Sequence, residues 1–377
     1  MSKCLACKEE LVGTPLMVLD NMPTSAQDIP DAEHVKNDRG IRLHLYQCSH
    51  CALVQFDCEP VTYYRDVIRS GGYSTTMHDL RCSQYKHLIE TYHLENKKFI
   101  EVGCGQGEFL SVLKEFPVEG FGIEHKEDLV KLARTKGLNV EQGFVEDGKT
   151  KIVGAPFDVF LSFNFFEHQP NPNEMLQGIY NNLTDDGMGL ITVPSLEYIL
   201  EHDGYYELIR DHLAYYTFDT LRFILEKNGF EVLEQEMVNR DTLAMIVRKR
   251  KKVDISNLID SYSYIRKEII AYIDSEIAIG HKVGIWGASH QGFTLAATAD
   301  LGDKVTYIID SAPFKQGRYA PTSHIPIISP DKAVENPVDT VIIVAPGYTD
   351  EIADIIRNRF PQKTTIMVLK SNHLEQY

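Results

Sequence analysis

The sequence predicts an α/β protein with two wound, largely parallel sheets and a small cysteine-bearing domain ahead of them. Three observations carry this. Cys4-x-x-Cys7 recurs about forty residues later as Cys48-x-x-Cys51. The run Phe99-Ile100-Glu101-Val102 leads into Gly103-Cys104-Gly105-Gln106-Gly107 and then an apolar segment, which reads as strand, glycine turn and helix. The same order returns at Lys282-Val283-Gly284-Ile285-Trp286-Gly287-Ala288-Ser289. Strands alternating with helical segments argue for parallel sheets with crossover helices. The expected domains are 1–76, 77–250 and 251–377.

Taken in order, the doubled Cys-x-x-Cys spacing is the pattern of two thiolate knuckles converging on one tetrahedral ion, so Cys4, Cys7, Cys48 and Cys51 are expected to hold a structural zinc. A closed four-cysteine site leaves no open position, so this metal holds the fold and does no chemistry. Between the knuckles, Leu19 to Gln27 is too polar for a core strand and lacks helical periodicity. Gly71-Gly72-Tyr73 with the hydroxyl run Ser74-Thr75-Thr76 reads equally well as a ligand-facing loop or an ordinary one. From Met77 to Tyr92 the pattern is helical.

The glycine spacing is G-x-G-x-G. It is neither the G-x-G-x-x-G of a dinucleotide site nor a phosphate-cradling loop, because no Lys-Ser/Thr follows. With Glu101 ahead of it, the stretch resembles the first motif of class I S-adenosylmethionine (SAM) methyltransferases. A second strand ends in Glu124 about twenty positions on, where a carboxylate can accept from both ribose hydroxyls. His125 follows it, and a third strand (138–140) leads to Val145-Glu146-Asp147, expected near the adenine. The strand Phe157 to Phe163 runs into Asn164-Phe165-Phe166-Glu167-His168, similar to the superfamily's fourth motif beside the methionine end. The resemblance therefore implies a SAM site of Glu101, Gly103, Gly105, Gly107, Glu124, His125, Glu146, Asn164 and His168.

A helix is expected from Met175 to Leu183, with Asp185-Asp186-Gly187 as its terminating turn and Gly189 to Ser195 as the fifth strand. His202 to Tyr216 then concentrates Tyr, Asp, Arg and His on the SAM side. Asp211 beside His212 suits general-base work, since a carboxylate can orient an imidazole and raise its basicity. A helix over 218–228, stopped by Gly229, precedes two antiparallel strands. The basic run Arg248 to Lys252 reads as a strand end and linker. In the carboxyl-terminal part, the turn at Gly287 to Gly292 is open to a dinucleotide, to a nucleotide carried by the substrate, or to no ligand.

The whole chain resembles the sugar C-methyltransferase family, most specifically in Asp310-Ser311-Ala312-Pro313-Phe314-Lys315-Gln316-Gly317-Arg318-Tyr319-Ala320-Pro321. That resemblance implies a class I SAM-methyltransferase sheet flanked by an amino-terminal zinc-binding domain and a second Rossmann-like carboxyl-terminal domain. It further implies methylation at carbon three of a nucleotide-linked, dTDP-type 4-keto-6-deoxy sugar through an enolate. His212 would be the base, assisted by Asp211 and Tyr73. Met22, Tyr216, Lys315, Arg318, Tyr319 and His324 would touch the substrate. The family's Tyr-His-Glu-His segment falls on Ile209-Arg210-Asp211-His212, with Asp replacing Glu and Ile replacing the leading Tyr. An O- or N-methyltransferase on an activated sugar or related metabolite, working without an enolate, is the alternative.

At 377 residues, with a net charge of −16, 43% hydrophobic and 24% charged residues, the chain fits a globular protein of two or three domains and lacks the clustered cations of a nucleic-acid groove. No apolar run reaches membrane-spanning length. A cytoplasmic monomer or homodimer is expected, with no nucleic-acid or membrane partner.

Overall fold

The computed structural model describes residues 2–66, 74–251 and 253–377. The chain forms two compact units, Met1–Lys251 and Lys252–Tyr377.

In the first unit, β1 (Met17–Met22), β2 (Ile41–Gln47) and β3 (Val54–Phe56) form an antiparallel sheet. The polar stretch after Leu16 is thus partly strand, contrary to its pattern. β1 is an edge strand that buries only Leu19, so cross-strand pairing with β2 decides its conformation and not its own hydropathy. Among the described residues no helix is long and apolar enough to cross a membrane.

The helix α1 (Thr75–Tyr92), capped by the Ser74 hydroxyl, leads into β4 (Lys98–Val102). Then follow α2 (Glu108–Val112), β5 (Glu119–Glu124), α3 (Glu127–Thr135), β6 (Asn139–Gln142), β7 (Phe157–Phe163), α4 (Pro172–Asn181) and β8 (Leu183–Pro194). Next come α5 (Leu196–Glu201), β9 (Ala214–Tyr215), α6 (Phe218–Lys227), β10 (Phe230–Val238) and β11 (Thr242–Lys249). The seven-stranded sheet has the order β10-β11-β8-β7-β4-β5-β6, in which β11 alone runs antiparallel to its neighbours. The winding reverses between β4 and β7, so a crevice opens at their carboxyl ends, where open α/β sheets bind ligands. Asp185 to Gly187 lie inside β8 and not in a turn, because Leu183 already pairs with Phe157 across an irregular register. β9 joins the amino-terminal sheet through β3.

Gly107 shows why the turn needs glycine. Its φ is 80°, and a Cβ there would lie 2.2 Å from Leu138 Cδ1. Gly107→Ala is expected to cost about 1–3 kcal/mol from the left-handed backbone alone, read as a lower midpoint in chemical denaturation.

The second unit contains α7 (Ser256–Ala278), β12 (Val283–Trp286), α8 (His290–Thr298), β13 (Tyr307–Ile309), β14 (Ile327–Ile328), α9 (Pro330–Glu335), β15 (Thr340–Ile343), α10 (Thr349–Arg359), β16 (Thr365–Leu369) and β17 (Leu374–Gln376). Its sheet runs β14-β13-β12-β15-β16-β17, parallel except at β17. This is the second Rossmann-like sheet.

Candidate active site

The glycine turn is built from three left-handed residues, Gly103 (φ 71°), Gly105 (φ 59°) and Gly107. A Cβ on Gly103 would sit 2.9 Å from the Phe165 ring, so backbone is exposed where a side chain would block approach. Glu101, at the penultimate position of β4, is fully buried beneath the turn. Glu124 closes β5 and is 5% exposed. Its Oε2 accepts from the Gly105 N–H and its Oε1 from the Lys126 N–H, both at 2.9 Å. Burial raises its pKa, opposed by these backbone donors.

Around this carboxylate is a small pocket with Val102, Gly103, Ile123, Glu124 and Phe165 on its walls. Phe144, which the sequence did not single out, is its aromatic wall. It meets His125, Tyr64 and Phe165 edge-on, and Arg65 lies 5.4 Å over its face. His125 Nδ1 is 2.6 Å from Asp66 Oδ1, and Glu146 reaches outward to Arg65 at 2.5 Å. Asp147 serves its own turn, accepting from the Lys149 and Thr150 N–H groups. An apolar slot with a flat aromatic and a carboxylate at a strand end has the chemistry of a nucleoside site, so these residues fit the adenosine part of SAM. Glu124→Ala is expected to weaken binding of S-adenosylhomocysteine by about 10–100-fold, since it removes a charged acceptor and the tether on Gly105. Isothermal calorimetry reads it.

Beside this pocket, past Asn164, lies a cavity of about 410 Å³. Asn164 holds φ 46°, and its Oδ1 accepts from the Thr192 hydroxyl at 2.8 Å. Glu167, His168 and His212 line the wall beside it, their ligand atoms all within 4.8 Å of one another. His168 and His212 meet edge-on with centroids 4.8 Å apart. The His168 Nδ1–H donates to the Asp211 carbonyl at 2.7 Å, which leaves its Nε2 with a lone pair. Burial lowers the pKa of His168 to about 4, against that carbonyl. It lowers His212 to about 3, assisted by His168. Both imidazoles are therefore neutral at pH 7. The backbone beside His212 is fixed on both sides of Leu213. The Leu213 N–H donates to the Glu167 carbonyl at 2.9 Å, and the Phe56 N–H donates to the Leu213 carbonyl at 3.1 Å.

Three expected site residues stand differently. The Asp211 carboxylate does not orient His212. Its Oδ1 accepts from the Tyr63 hydroxyl at 2.5 Å and its Oδ2 from the Ala26 N–H at 3.0 Å, so it ties the amino-terminal loop over the cavity. A side chain on the residue adjoining His212 points along a different direction, and Tyr63 supplies the better donor. Tyr216 is no substrate contact. It is fully buried and stacked on Phe166 at 5.5 Å, because β9 carries it into the core. Met22 packs, half-buried, against the cluster of Leu43, Leu45 and Phe56 and lines neither cavity. Tyr73 lies outside the described residues.

The four knuckle cysteines converge. Cys4 and Cys51 sulfurs lie 3.5 Å apart, Cys7 and Cys48 3.4 Å, and all four within 4.8 Å. Zinc–sulfur bonds of about 2.3 Å in a tetrahedron need sulfurs about 3.8 Å apart, so the set fits zinc. Each knuckle ends in a left-handed residue, Lys8 or Ala52.

In the second unit Gly287 holds φ 128°, and the Ala288 N–H donates to Asp310 Oδ2 at 3.0 Å. Lys315 pairs with the same oxygen at 2.9 Å, so the turn's acidic partner is satisfied within the unit. Arg318, Tyr319 and His324 lie exposed on the following hairpin.

A nucleoside slot at the sheet's switch point, with a separate cavity beside it, is the arrangement of a SAM-dependent methyltransferase. Residues 76–235 match the family model described as a methyltransferase domain, and residues 254–369 the model described as a C-methyltransferase C-terminal domain. The chain is a SAM-dependent methyltransferase carrying the C-methyltransferase C-terminal domain. A relative, C-methyltransferase NovU from Streptomyces niveus, is 23% identical over 284 residues, covering 68% of each chain. Among solved structures the chain is similar to the PH0226 protein of Pyrococcus horikoshii OT3, with TM-score 0.41 and 16% identity over 50% of this chain and 98% of that one. It is also similar to the plantazolicin methyltransferase BpumL in complex with a pentazolic desmethylPZN analog and SAH, with TM-score 0.39 and 15% identity over 47% and 86%.

Proposed function

We propose that the protein methylates a carbon alpha to the ketone of a nucleotide-linked 4-keto-6-deoxy sugar, carbon three of a dTDP sugar, with His212 as the base. The observation that carries this reading is a neutral imidazole on the wall of the 410 Å³ cavity, with no hydrogen-bond partner for its ring among the described residues. The C-methyltransferase C-terminal domain and the relative NovU support carbon as the acceptor.

A ring nitrogen of His212 takes the alpha proton, and the C–H electrons become the enolate double bond. SAM, when bound, supplies the methyl group to that carbon and leaves as S-adenosylhomocysteine. An imidazole of such low basicity is a weak base, so most of the driving force must come from donors stabilising the enolate oxygen. Asp211 acts by holding Ala26 and Tyr63, closing the loop whose Ala26 and Gln27 line the cavity. Zinc on Cys4, Cys7, Cys48 and Cys51 would serve as a structural brace. Lys315, Arg318, Tyr319 and His324 are proposed to meet the nucleotide part of the substrate.

The test is NMR in deuterated water without SAM. Exchange of the proton alpha to the ketone, then a new carbon-bound methyl on adding SAM, is the expected result. A methyl appearing on oxygen or nitrogen, with no exchange beforehand, would replace this reading with the alternative. The four carboxylates on the cavity wall (Glu167, Glu207, Asp211 and Asp241) would suit a hydroxyl or amine acceptor.

A further inference from the structure

A second cluster of metal-ligating side chains lies outside the site. His78 and Cys82 are four residues apart in α1, so both project from one face of the helix. Glu115 ends the short 3-10 turn Leu113–Glu115 that follows α2 and meets them from across the gap. Tyr85 of α1 and Phe116 hold the two elements together, their rings edge-on at 6.2 Å. His78 Nε2 lies 2.8 Å from Glu115 Oε1. The Cys82 sulfur lies 3.7 Å from that nitrogen and 3.6 Å from Glu115 Oε2.

Those separations decide what the cluster suits. Zinc bonds of about 2.3 Å to sulfur and about 2.0 Å to nitrogen or oxygen place a sulfur about 3.5 Å from the other two donors in a tetrahedron. Both sulfur distances match that to within about 0.2 Å. The imidazole and carboxylate have to part by about 0.5 Å to share an ion. With side chains 29% and 53% exposed, they have the room to do so. The local field points the same way. Burial, then the Glu115 and Asp79 carboxylates, raise the pKa of Cys82, and Glu115 and Asp79 raise that of His78. Such surroundings favour a cation. An imidazole, a thiolate and a carboxylate are donors that zinc accepts together, with a fourth position left for water.

We propose that His78, Cys82 and Glu115 bind a zinc ion that clamps α1 to the turn after α2. Zinc enters as the protons of Cys82 and His78 leave, and no other bond changes. Its place ties it to the active site without belonging to it. Met77, Leu80 and Arg81, in the same turns of α1, line the 410 Å³ cavity from the neighbouring face of the helix. Arg81 also lies over the Phe163 ring at 3.8 Å. The partly exposed donors make this an exchangeable site, whose occupancy follows the zinc concentration and stiffens a wall of the cavity. Its donors are separate from the four knuckle cysteines, so it stands whether or not those hold zinc.

The test titrates zinc calorimetrically into the full-length protein as purified and follows amide hydrogen exchange over α1. One equivalent is expected to bind beyond the metal on the four cysteines, with exchange slowed in residues 75–92. Cys82→Ser and His78→Gln are each expected to weaken that equivalent by more than about 100-fold, beyond the range lost with outer-shell partners. Zinc content on purification should not change. No added equivalent, or one that persists in both variants, would overturn the site. An added equivalent that leaves exchange over α1 unchanged would overturn the clamp. Protein purified without zinc would fill the cysteine set with an equivalent insensitive to both variants, which tells the two sites apart.

Discussion

Replacing His212 with Gln is expected to slow alpha-proton exchange and methyl transfer by about 10²–10⁴-fold, the range lost with a positioned general base. Affinity for S-adenosylhomocysteine should stay within about twofold, because His212 lines the larger cavity and not the slot at Glu124. Gln keeps polarity and approximate size while removing the proton acceptor, which separates basicity from shape. The pH profile adds a second reading. An ordinary histidine would give kcat/KM an acid limb near 6.5. With the free-enzyme pKa lowered to about 3 by burial and by His168, the limb should fall well below pH 6. A limb near 6.5 that vanishes in the variant would contradict the buried, neutral imidazole. The same shift links to stability. His168 and His212 are depressed in the folded state, so their contribution is fully present above about pH 6.5. It is lost as pH falls through that value toward 3 to 4, as the unfolded chain takes up protons the folded one refuses.

Cys48→Ser is expected to cost more than any single substitution outside the core. It breaks a closed four-thiolate set, and structural zinc contributes folding free energy directly. The knuckle is wired into the catalytic body. The Asn173 side chain donates to the Leu5 and Ala6 carbonyls at 2.7 and 3.0 Å, and Lys227 donates to Ala6 at 2.5 Å. The second knuckle runs into β3, which pairs with β9, two residues past His212. Loss of the proposed zinc should therefore lower the first unit's melting temperature by on the order of 10 °C or more and abolish methyl transfer. The second unit, with hydrophobic clusters of its own, should keep its transition. Metal analysis and calorimetry on the variant check this. Unchanged zinc content, or a single melting transition shifted as a whole, would contradict it.

Local chemistry made much of this legible before any coordinates. A strand that ends in glycines at alternate positions has few other uses, and the three glycines do hold left-handed backbone. Paired Cys-x-x-Cys motifs point to a shared ion because thiolates with two residues between them can face one centre. The site's interior was harder to read. Phe144 and Arg81 carry no local signature, since an aromatic after glycine and a charge on a helix occur everywhere. Tyr216 was misread for the same reason. A tyrosine near a motif looks like a ligand contact until the strand's facing is known, and β9 turns it inward onto Phe166.

The sequence by itself determined the two wound sheets, the cysteine set and the glycine turn with Glu124, because each rests on short local patterns of spacing. Only the tertiary structure decided that Asp211 tethers Ala26 and Tyr63, that His168 stands against His212, and that Arg81 stacks on Phe163. Those depend on which segments meet, and segments distant in sequence meet through burial and sheet order, which no local pattern encodes.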